Sequence, residues 1–98
     1  MFIKIHRSYR TVVALADSEL VGKKFEEGKY QLDVTENFYK GDKVTEEQAI
    51  QIIKRQVIED ATFNIVGKKA IQAAEKAGII QKEETSSLQG IPFTLILI

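Results

Sequence analysis

The sequence predicts a single α+β domain, a mostly antiparallel sheet of about four or five strands packed against two main helices. Three observations carry that reading. Short runs at residues 2–6, 11–16, 30–34 and 93–98 have the length and period of strands. Between them, residues 45–77 carry apolar side chains at helical spacing. The strands surround this helix pair without the regular alternation of a parallel α/β fold.

Residues 2–6 alternate, Ile3 and Ile5 on one side, Lys4 and His6 on the other, as a half-buried strand does. Ser8 to Arg10 turns the chain, and the run from Thr11 to Ala16 is the expected hairpin partner. Asp17 or Ser18 is placed to cap one helical turn, stopped by Gly22. A turn at 26–29 leads into a third strand with Tyr30, Leu32 and Val34 on one face. Residues 35–42 are polar, apart from Phe38 and Tyr39.

The clearest helix start is Thr45-Glu46-Glu47-Gln48, a capping box, with Val44 and Ala49 placed as a hydrophobic staple. Ala49, Ile53, Val57 and Ala61, with Ile50 and Ile58 beside them, form its apolar stripe. A second helix is expected from Thr62 or Asn64 to Ala77, with Lys76 in the last turn and Gly78 just past its end. A polar loop covers 81–87, and residues 88–90 read as a short strand. Pro92, which lacks an amide proton, suits the start of the final strand, 93–98, apolar on both faces.

Of the 98 residues, 44% are hydrophobic and 29% charged, enough for one core without staples. The absence of cysteine excludes disulfides and every thiolate-ligated metal site. Fourteen Lys and Arg balance fourteen Asp and Glu, so no global field draws the chain to nucleic acid or membrane. The charged start lacks a signal-peptide core, and no run approaches the length of a membrane span, so a cytoplasmic location is expected.

Little in the sequence points to catalysis. His6, the one histidine, is read as a surface or boundary residue, and no catalytic residue, metal ligand or cofactor is assigned. Asp33, Glu36 and Asp42 bracket a turn but match no calcium loop, and carboxylates in turns cap amides or face water. Gly22-Lys23-Lys24 is a candidate phosphate cradle, weighed against a plain cap with its lysines in water. Gly67-Lys68-Lys69 repeats the pattern. For RNA, the sequence offers Lys4, Arg7 and Arg10 in an acid-free segment with Tyr9 among them, and a second aromatic-basic cluster at Phe38, Tyr39 and Lys40.

The hairpin start, the segment from Asp17 to Phe25, Leu32-Asp33-Val34 with Phe38-Tyr39 and Gly41, the segment from Ala61 to Gly67, and Gly90-Ile91-Pro92 follow one another in an order that resembles the archaeal family of unknown function numbered four-two-four. The resemblance spans essentially the whole chain. It departs at Ala16, where relatives often carry a cysteine, which removes any thiol-dependent role. The family has no established active site to carry over. Its association with translation genes implies a role near the translation machinery.

The expected function is therefore a non-enzymatic accessory protein of translation, binding RNA or a ribosomal partner through Lys4, Arg7, Tyr9, Arg10, Lys23, Lys24, Tyr39 and Lys40. One alternative is a small-ligand domain or enzyme using Gly22, Lys23, Asp33, Glu36 and Asn64. The other is an interaction module, including a homodimer formed through the apolar C-terminal strand.

Overall fold

The computed structural model describes residues 1–97. β1 (Phe2–His6) and β2 (Val12–Ala16) form the expected hairpin, paired from Phe2 opposite Ala16 to His6 opposite Val12. After a 3-10 turn at Ser18–Leu20, β3 (Lys24–Glu27) and β4 (Tyr30–Asp33) make a separate two-stranded sheet. Then come α1 (Glu36–Tyr39), β5 (Asp42–Lys43), α2 (Glu46–Ile58), β6 (Thr62–Val66) and α3 (Lys68–Lys76). A second 3-10 turn, Lys82–Glu84, precedes β7 (Ser86–Leu88) and β8 (Ile91–Ile96). Ile98, counted in the expected last strand, lies outside the described residues.

The main sheet has six strands in the order β5-β1-β2-β6-β8-β7, and every pairing is antiparallel except β2 with β6. The fold class is the expected one, with more strands than the sequence suggested. The extra central strand is β6, where a helix start was expected. Thr62, Phe63, Ile65 and Val66 are all buried, so this strand is covered on both sides and shows no clean alternation. Asn64 accordingly sits inside the sheet, between Ala14 and Leu95, and caps nothing.

The helix after β6 is capped from a distance. Its N-terminal amides at Lys69 and Ala70 donate to the Asp17 carboxylate at 3.1 and 2.8 Å, across more than fifty residues. Asp17 was expected to cap the turn beside it, and its side chain makes no such bond. Gly67 must be glycine here: its φ is +109°, and a Cβ would stand 2.3 Å from Asp17 Cγ.

One face of the sheet packs Ile3, Val13, Leu15, Phe63 and Ile65 against Ala49 and Ile53 of α2 and Ala70, Ile71 and Ala74 of α3. The Thr45 capping box holds α2 as predicted, and Gly78 ends α3 with φ +80°. Ile58, placed in the apolar stripe by its spacing, is instead exposed at the end of α2. The other face is covered only in part. Val34, Tyr39, Phe38 and the β3–β4 hairpin pack over Ala14, Ala16, Val66 and Phe93.

Candidate functional site

The β1–β2 hairpin raises residues 7–11 at one end of the sheet. Its first acid in sequence is Asp17, so the whole hairpin is free of carboxylate side chains. At the tip the Tyr9 ring is fully exposed, and Arg7, Ser8 and Arg10 are exposed beside it. The Ser8 hydroxyl donates to the Arg10 carbonyl at 3.1 Å, which closes the turn. The hydrogen-bonded turn thus displays the Tyr9 ring in water.

Down β1 from the tip, Lys4 and His6 point at α1. Lys4 Nζ donates to the Asn37 carbonyl at 2.7 Å, and His6 Nε2–H donates to the Phe38 carbonyl at 2.8 Å. The His6 ring also stacks on Phe38, with centroids 4.6 Å apart. Cationic and donor groups at a helix C-terminus satisfy carbonyls that lack partners, so β1 fastens α1 to the sheet. His6 is thus the half-buried boundary residue its position suggests, and it also straps α1 to β1, a role that local sequence does not signal.

Tyr39 offers no ring to a ligand. It is buried against the second face and meets Phe38 edge-on at 4.9 Å; burial raises its phenol above the usual range. Lys40 pairs with Glu36 at 4.0 Å and Lys24 with Glu26 at 3.6 Å, both exposed pairs. Lys24 also lies opposite Asp33 in the β3–β4 register. β2 carries the chain about 16 Å away from the tip before Lys23 is reached. The eight basic and aromatic residues therefore divide. Arg7, Tyr9 and Arg10 share the tip, Lys4 lies on the adjoining strand against α1, and Lys24 and Lys40 are each paired with a carboxylate.

At Gly22, weighed as a candidate phosphate cradle against a plain cap, the chain itself takes the amides. Gly22 N–H donates to the Val34 carbonyl at 2.6 Å and Lys23 N–H to the Leu20 carbonyl at 3.1 Å, so both amides are spent. Gly22 takes φ +89°, and the Glu36 carboxylate packs over it, repelling an anion. Asn64 lies in the central strand β6, in register with Ala14 and Leu95, and does not join this group. In the second Gly-Lys-Lys sequence the Gly67 amide donates to the Pro92 carbonyl at 2.8 Å and the Lys69 amide to the Asp17 carboxylate at 3.1 Å.

Among the described residues no helix is long and apolar enough to cross a membrane. Residues 6–98 match the model of a family described as a protein of unknown function (DUF424). Nothing among the curated proteins matches the chain. Among solved structures, the chain is similar to the crystal structure of an uncharacterized conserved protein from the archaeon Methanopyrus kandleri. The two are 26% identical with a TM-score of 0.89, over 97% of this chain and 88% of that one.

Proposed function

The chain belongs to that family, and we propose that it is a non-enzymatic, cytoplasmic accessory protein of the translation machinery that docks on RNA through the tip of the β1–β2 hairpin. The observation that carries this reading is the fully exposed Tyr9 between Arg7 and Arg10 in a segment without acids. A ring of this kind stacks on an unpaired base, and flanking guanidinium groups bind the phosphates on either side. Stacking a base on an aromatic ring contributes about 1–3 kcal/mol and tolerates any sequence.

The attraction is short-range. Thr62 N–H donates to the Thr11 carbonyl at 3.0 Å, which brings the turn carrying Glu59 and Asp60 to the same end of the sheet. With zero net charge as well, binding depends on direct phosphate contact rather than steering. Sedimentation of cell extract through gradients at low and high salt tests the proposal. The protein should travel with ribosomal particles at low salt and be released at high salt, while Arg7→Glu with Arg10→Glu stays at the top in both. A wild-type protein that remains at the top at low salt contradicts it.

A further inference from the structure

We propose that the β3–β4 hairpin is a hinged flap over the second sheet face, and that Gln89 is the latch that keeps it closed. Both ends of the flap are fixed to the body. Before it, the Asp17 amide donates to the Val66 carbonyl at 3.1 Å while the Asp17 carboxylate caps α3. After it, the fully buried Val34 leads into α1, which Lys4 and His6 strap to β1. Between these anchors the contact is thin. Of the strand residues, only Phe25 and Leu32, opposite one another in the register, pack on the body, and the others are exposed. A cavity of about 440 Å³ lies at the far end, with Glu27, Tyr30 and Gln31 on the flap side and Leu88 and Phe93 on the sheet side.

The latch belongs to the β7–β8 turn. Leu88 pairs with Ile91, and the two residues between them, Gln89 and Gly90, have φ +51° and +75°. Two positive values in a two-residue hairpin loop make a type I′ turn, which favours Asn or Asp before its glycine. Glutamine gains nothing locally from a left-handed backbone. Its extra length is used at a distance instead. Gln89 Nε2–H donates to the Glu26 carbonyl, and the Gln89 backbone N–H donates to Glu27 Oε1 at 3.2 Å, each across more than sixty positions of sequence. A backbone conformation that costs free energy in a non-glycine residue thus serves a contact with β3. An isolated two-stranded hairpin is marginal in water, so a flap that leaves the sheet loses its own ladder too. Opening is a local event. It uncovers Ala14, Ala16, Val66 and Phe93 and leaves the side sealed by α2 and α3 intact. The inference is independent of RNA binding at Tyr9.

Amide hydrogen exchange of the full chain, read by mass spectrometry, tests this. Residues 24–33 should lose protection at least about tenfold faster than β6, because they open without the rest of the domain. Gln89→Asn supplies the residue the turn favours but shortens the reach to Glu26. It should speed exchange across 24–33 about fivefold, while the melting temperature holds or rises. Glu27→Ala leaves the turn as it is and should speed the same segment by about the same factor, with β6 unchanged. Exchange of 24–33 at the rate of β6 in the unsubstituted chain overturns the proposal, since the hairpin then opens only with the whole domain. So does a Gln89→Asn chain whose 24–33 segment is no faster, or one in which every segment speeds up together as the melting temperature falls.

Discussion

The two faces of the central sheet are finished to different degrees. On one, α2 and α3 seal Leu15, Phe63 and Ile65 so completely that these side chains are 0%, 0% and 1% exposed. On the other, a four-residue helix and a two-stranded hairpin cover Ala14, Ala16 and Val66 but stop short of Leu95 and Leu97. Both faces are apolar, so hydrophobicity alone does not set their roles. The sealed face accounts for stability, and the part-covered face leaves Leu95 and Leu97 in water.

Substitutions on the two faces should separate these roles. Phe63→Ala, at the centre of the sealed side, should cost about 3–5 kcal/mol in denaturant unfolding, while Leu95→Ala changes it by less than about 0.5 kcal/mol. Equal losses would erase the distinction. A smaller effect is expected where the faces meet the start of α3. Asp17→Ala removes the acceptor for two helix amides and should cost about 2 kcal/mol, with Gly67→Ala in the same range or above because it collides with Asp17.

The smallest effect concerns Tyr39, which anchors α1 to the second face. Its phenol is raised above 10.0 by burial, so above that pH the folded chain keeps a proton that the unfolded chain has lost. That stability is complete below about pH 10 and declines as pH rises towards the folded value. Tyr39→Phe should abolish this alkaline decline in a melting series, while an unchanged decline would place the titrating group elsewhere.

What was legible in the sequence was local. The Thr45 box, the Gly78 stop and the first hairpin depend on residues within a few positions of one another, and each was found. β6 was read as a helix because burial on both faces removes the two-residue period, and Ile65, Val66, Ala70 and Ala74 then continue at helical spacing. The Asp17 cap joins positions more than fifty residues apart, which no local pattern encodes. The same division holds for the site. Arg7, Tyr9 and Arg10 are neighbours in sequence and in space. Burial of Tyr39, and the separation of Lys23 and Lys24 from the tip, depend on how α1 and the second hairpin dock.

The most direct test is the salt dependence of binding to a single-stranded RNA, measured by fluorescence anisotropy. Removing both guanidinium groups with Arg7→Ala and Arg10→Ala should flatten the slope of log K against log salt by about 1.4. Tyr9→Ala should weaken binding by about 1–3 kcal/mol at every salt concentration with the slope unchanged. Binding whose strength and salt slope are the same in both variants as in the unsubstituted chain would show that the hairpin tip is not where RNA is held.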